Sequence, residues 1–223
     1  MIKISTKYNE IINNEEIKTY IRMADESLLA LGYTEHSFTH VGKVSHDSEY
    51  ILRTLGYSEH EIELVKIAAY LHDIGNLANR IDHSQTGAVM AVRILDHMNM
   101  PPEDIATIVS AIGNHDEGTG VPVNAISAAL IIADKADVRR SRVRNRDVAT
   151  FDIHDRVNYS VEKSQISIDK DAKTIKLTLK IDTGISPIMD YFEIFLNRML
   201  LCRKAAEKLG LKFILEINDQ QLL

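Results

Sequence analysis

Ile67-Ala68-Ala69-Tyr70-Leu71 runs straight into His72-Asp73-Ile74-Gly75, so an apolar helical stretch ends on an imidazole and a carboxylate. Polar groups set against that much apolar surface are costly unless something satisfies them. A chain of this kind must therefore fold around a polar centre. Four more groups repeat the pattern. His40 shares a helical stripe with Val44, Ser48, Ile51 and Leu55 and so points inward. His83 opens a helix, His115 follows Ile112-Gly113-Asn114 at a helix end, and Asp134 follows Leu130-Ile131-Ile132-Ala133. One histidine on an apolar face is usually a satisfied core residue. Several such groups on successive helices point instead to a divalent metal, for which neutral imidazole and carboxylate are standard ligands. The six donors His40, His72, Asp73, His83, His115 and Asp134 exceed what one open catalytic site needs. They fit two metals sharing a carboxylate, and Asp73 is the candidate bridge.

The rest of the chain supplies the helices. Asn13 or Asn14 can cap a helix from Glu15 to about Leu31, which Gly32 stops. A second is predicted from about Glu35 to Leu55, and Ser58 with Glu61 forms a capping box for the helix that carries His72-Asp73. Asp82 can cap the helix opening at His83, Pro101-Pro102 starts one that ends near Gly113, and Asn124 can cap one that continues past Asp134. Beyond residue 155 the period changes. Gln165–Ile168 and Thr174–Ile181 alternate with period two around a polar turn, as a β-hairpin does. Ser186-Pro187 caps and opens a long helix that ends before Gly210, and Lys212–Ile217 reads as a third strand. The expected fold is mainly α: a helical domain over residues 1–155, and an appendage over 156–223 with a small antiparallel sheet and a long helix. That appendage can equally pack as part of one domain.

The 223 residues carry a net charge of -6, a balance that disfavours non-specific binding of nucleic acid polymers. The single cysteine, Cys202, leaves no intrachain disulfide framework and argues against a thiolate metal site. Apolar runs such as Ala128–Ala133 are far too short to span a bilayer, and Met1–Ser5 has no long apolar stretch. The expectation is a soluble cytoplasmic protein without membrane or nucleic acid partners.

The ordered set His40, His72-Asp73 and Asp134 resembles the HD-domain phosphohydrolase superfamily over roughly residues 36–146. The resemblance implies an HD-type helical bundle in which those four groups bind one metal. His83 and His115 match positions that supply a second in the two-metal branches. The cofactor it implies is a pair of divalent ions from among Mn, Fe, Mg, Ni and Zn. The implied activity is hydrolysis of a phosphate ester or anhydride of a small nucleotide-like substrate by a metal-bridging hydroxide, with Asp73 and His72 at the catalytic centre. His83-Ser84…Gly87-Ala88 and His115…Gly118 are similar to segments of HD-type diadenosine-tetraphosphate hydrolases. The HD-GYP cyclic-dinucleotide phosphodiesterases have a lysine after His-Asp-Ile-Gly and a longer His-His-Glu…Gly-Tyr-Pro segment. Here Asn76 and Asn114–Pro122 stand in those places, which makes the chain look like a shortened relative. The (p)ppGpp hydrolases carry a Glu-Asp pair where this chain has Asn76-Leu77. The competing class is a non-catalytic HD module that binds a ligand or a partner.

Lys135, Arg139, Arg142 and Arg146 would share one helix face if the helix past Asp134 continued. That stripe is the candidate substrate-phosphate site, since arginine's fork suits phosphate. The alternative is a solvated face or a contact between copies in a homo-oligomer. Arg80 and Lys43 are weaker candidates.

Overall fold

A computed structural model describes residues 7–222. The segment Met1–Ser5 lies outside them. The chain opens with helices α1 (Tyr8–Asn13), α2 (Glu15–Ala30), α3 (Phe38–Leu55) and α4 (Glu59–Leu71). Local chemistry explains their ends. The Asn14 side chain accepts from the N–H groups of Glu16 and Ile17. Ser58 and Glu61 form the capping box reciprocally. The second expected helix starts at Phe38 rather than Glu35, because the Glu35 carboxylate accepts from the Ser37 N–H and the Ser37 hydroxyl in turn accepts from Thr39.

After α4 a short 3₁₀ turn, Ile74–Leu77, leads to α5 (His83–His97), α6 (Pro102–Gly113) and α7 (Ala125–Ala136). Asp82 precedes α5 in a left-handed conformation, φ 56°, and its side chain makes no cap. Asn124 caps α7, with Ser127 returning the bond to its N–H. The helix stops at Ala136, so the expected basic helix face from Lys135 to Arg146 does not form. Asp137 leaves the helical path, and its carboxylate receives His40 and Arg139 instead. A 3₁₀ turn at Arg140–Arg142 and irregular chain then reach α8 (Ile153–Ser160), a helix the sequence pattern did not reveal.

The remainder is β1 (Val161–Asp169), β2 (Thr174–Ile181), α9 (Ile188–Lys208), β3 (Lys212–Ile217) and the short β4 (Gln220–Gln221), in sheet order β1-β2-β3-β4. The first pair is an antiparallel hairpin, with Ile166 opposite Leu177. The sheet is mixed rather than wholly antiparallel, because β3 runs parallel to β2, with Leu177 opposite Leu215. The cause is α9: its 21 residues carry the chain back to the start of the sheet, as a β-α-β unit requires. Helix α9 begins at Ile188 with Pro187 at the cap position, and the Ser186 hydroxyl donates to Asp190 in its first turn.

The hydrophobic core runs unbroken across residue 155. Helix α7 packs on both α3 and α9, and Ala129, Ile132, Phe195, Met199 and Leu177 belong to one buried cluster. No helix among the described residues is long and apolar enough to cross a membrane.

Candidate metal centre

The expected donors converge on one buried region from different elements. His40 projects from the first turn of α3, His72 caps the end of α4, Asp73 precedes the 3₁₀ turn, His83 opens α5, His115 follows α6, and Asp134 sits in the last turn of α7. All four histidine rings are buried, and each has its Nδ1 engaged. Nδ1 lies 2.7 Å from the Ala69 carbonyl in His72, 3.0 Å from the Arg80 carbonyl in His83, and 2.6 Å from the Ile112 carbonyl in His115. In His40 it lies 2.8 Å from the Asp137 carboxylate. These acceptors hold the proton on Nδ1, so the Nε2 lone pairs face inward, as metal-binding histidines are oriented.

The inward atoms fall into two sets. In one, His40 Nε2 and His72 Nε2 lie 3.3 Å apart, and each is 3.3–3.6 Å from Asp134 Oδ1 and Asp73 Oδ2. In the second, His83 Nε2 and His115 Nε2 lie 3.2 Å apart, with Asp73 Oδ1 at 3.4 and 3.9 Å from them. Asp73 thus presents one carboxylate oxygen to each set. Asn76 holds it there: its amide donates to Asp73 Oδ1 at 2.9 Å and to the Asp73 carbonyl.

These residues fit divalent ions on physical grounds. Two Nε2 lone pairs 3.2 or 3.3 Å apart repel unless positive charge lies between them. The electrostatics say the same. Burial disfavours a proton on His72, yet the carboxylates of Asp73 and Asp134 overcome it and pull that imidazole up to about 10. Burial works against the charged forms of Asp73 and Asp134 too, but the His72 imidazole beside Asp73 and the Lys135 ammonium beside Asp134 hold both well below the usual carboxylate range. His115 and His83, dominated by burial, are pushed down and stay neutral. The carboxylates thus favour positive charge at the His40–His72 set, while His83 and His115 offer neutral imidazoles. The combinations His40-His72-Asp134 and His72-Asp73-His115 could each hold an ion.

A cavity of about 480 Å³ opens on this centre. Asp73, His83, His115 and Asp134 form part of its wall, with Arg80, Lys135, Arg142 and Arg198 around them. Of the expected basic stripe, Lys135 and Arg142 reach the cavity, while Arg139 and Arg146 are not among its lining residues. Arg139 is bound to Glu35 and Asp137, and Arg146 is exposed. Arg142 is buried, its Nε donating to the Glu35 carbonyl and its Nη1 to the Asp137 carbonyl, both at 2.8 Å. His36 and His154 also line the cavity, whereas Lys43 pairs with Asp47 along α3. Sequence reasoning missed Asn76, Glu117, Asp137 and Arg198. Asp137 lies three residues past Asp134 and was within view; nothing local marks Arg198.

Fold and centre together define a mainly helical protein built around a buried His/Asp cluster that could hold a metal ion. The HD domain family model matches residues 37–141, a span that opens at the Ser37 cap of α3 and contains all six donors. That segment of the chain, from α3 to the turn after α7, matches an HD domain. It is similar to the uncharacterized protein MJ1020 of Methanocaldococcus jannaschii, 26% identical over 208 residues, a match that spans 82% of this chain and 80% of that one. A solved structure described as a predicted HD superfamily hydrolase, from an uncultured Thermotogales bacterium, aligns with 56% of this chain and 67% of its own. The two share 24% identity with a TM-score of 0.44.

Proposed function

We propose that the chain is a phosphohydrolase that uses two divalent ions to cleave a phosphate ester or anhydride of a small, nucleotide-like molecule. The observation that carries this reading is the Asp73 carboxylate, whose two oxygens each face a separate set of histidine Nε2 atoms. His40, His72 and Asp134 would hold one ion, His83 and His115 the other, and Asp73 would serve both. A bound metal pair acidifies water, from a pKa of about 15.7 to roughly 7, and neutralises phosphoryl oxygens.

The chain's own residues do the rest. Asn76 keeps Asp73 turned to both positions. Asp137 accepts from His40 Nδ1, which keeps that ring's Nε2 inward. Arg80, Lys135 and Arg142 make the cavity wall positive, which favours an anionic substrate. The cavity volume suits a small molecule rather than a polymer.

The test is a screen of metal-reconstituted protein over nucleotides, dinucleoside polyphosphates and cyclic dinucleotides, with elemental analysis of the same samples. Turnover that is lost with Asp73→Ala supports the reading. Protein loaded with two ions that hydrolyses none of the three classes overturns it and leaves a non-catalytic ligand-binding module.

A further inference from the structure

Arg198 lies on α9, far outside the segment matched by the HD family, yet it lines the cavity beside the metal centre. Two contacts fix its guanidinium. Nε donates to Glu117 Oε1 at 2.8 Å, and the guanidinium carbon sits 4.3 Å from the centre of the Phe195 ring. One edge is clamped and one face is covered. Both terminal Nη groups remain without a hydrogen bond among the described residues. The side chain keeps 23% of its surface accessible, so this unengaged end opens to the cavity rather than into the core.

The neighbouring cations differ. Lys135 Nζ is shared between Asp134 and Glu117, at 2.7 Å from each. Arg142 donates to two main-chain carbonyls. Arg80 directs Nη1 at Asn76 Oδ1, 3.3 Å away. Among the cavity's described cations, Arg198 is the one with both Nη groups open. An unengaged pair of coplanar N–H groups matches two oxygens of a phosphate, which a lysine ammonium cannot do as a single point charge.

We propose that Arg198 is a substrate-phosphate ligand of this site, with Glu117 as its positioning residue; the proposal rests on the phosphohydrolase reading. Glu117 is suited to that role. It stands two residues after His115, and its second oxygen lies 2.7 Å from Lys135, so one carboxylate ties α9 to the loop that carries a metal donor. The C-terminal region thereby contributes a specificity element to a centre whose metal donors all lie within the HD segment.

Pyrophosphate is the probe, titrated calorimetrically into the full chain both after chelation and after metal reconstitution. Arg198→Ala should weaken binding about ten- to a hundredfold in both states, the usual size of a hydrogen bond to a charged group. Its metal content should stay at the wild-type value, and it should still unfold cooperatively, with only the modest loss of stability that goes with the Glu117 ion pair. Arg198→Lys should recover only part of the affinity, and Glu117→Gln should fall between wild type and Arg198→Ala. With any substrate the protein hydrolyses, KM should rise more than kcat falls. The proposal is overturned if Arg198→Ala binds pyrophosphate within twofold of wild type, if Arg198→Lys recovers full affinity, or if removing the guanidinium releases metal. The calorimetric result stands whether or not the reconstituted protein turns anything over, so it fails separately from the hydrolase reading.

Discussion

If the centre binds two ions as proposed, replacing Gly75 by alanine should weaken one of the two positions and spare the other. The added Cβ would fall 1.9 Å from the His83 carbonyl oxygen and 2.5 Å from the Gly87 nitrogen, where real Cβ contacts do not go below about 3.0 Å. Both atoms are backbone, so no side chain can swing aside. The start of α5 must draw back from the Ile74–Leu77 turn by more than an ångström. His83 is the first residue of α5, and its Nε2 stands 3.4 Å from Asp73 Oδ1. Overpacking of this kind costs about 1–3 kcal/mol. Taken up at the His83 position, it weakens the ion there by about five- to a hundredfold. His40, His72 and Asp134 are held by α3, α4 and α7, so the other ion should remain. The assay is metal stoichiometry against ion concentration after reconstitution, alongside thermal melting. Gly42→Ala is the control: its Cβ meets nothing within 4 Å, and an alanine inside α3 should stabilise the fold by about 0.5–1 kcal/mol. A folded Gly75→Ala protein that binds both ions like wild type, or loses both at the same concentration, would refute the link between this glycine contact and His83.

Asp73→Ala should release both ions and abolish hydrolysis, whereas His83→Ala should remove one ion preferentially; elemental analysis with activity separates the two. Asp137→Asn should weaken metal binding about ten- to a hundredfold, because it replaces the carboxylate that orients the His40 ring, a loss readable as a shift in the metal concentration needed for activity. Arg142→Ala should lower stability by about 1–3 kcal/mol, since it strands the half-buried carbonyl of Glu35 and the buried one of Asp137, while Arg146→Ala should change stability by less than about 0.5 kcal/mol; chemical denaturation measures both.

Most of the helical scaffold could be read from the sequence because its signals are local. Asn14, the Ser58–Glu61 pair, Pro102 and Asn124 mark helix starts within a few residues of where they act. The candidate metal donors were readable for a related reason. Each stands in an apolar context that makes its polarity conspicuous, as with Asp134 after Leu130–Ala133. Gly87 gains its reason only in three dimensions. A Cβ there would lie 3.2 Å from the Gly75 nitrogen and 3.3 Å from the His72 carbonyl, so the two glycines let α5 approach the His72-Asp73 corner.

The basic stripe shows where local reading ends. Residues at i, i+4, i+7 and i+11 share a face only while a helix lasts, and α7 ends at Ala136 because Asp137 has partners elsewhere. One of them, His40, lies 97 residues away in sequence, and no window of chain contains both. The same holds for Arg198 and Glu117, separated by 81 residues. Charge alone cannot sort these cations, because a guanidinium bonded to carbonyls, as in Arg142, and one with open Nη groups, as in Arg198, are the same residue in a sequence. What distinguishes them is how much hydrogen-bonding capacity the fold leaves unfilled. In a cavity lined by a metal centre, that unfilled capacity is what a substrate can use.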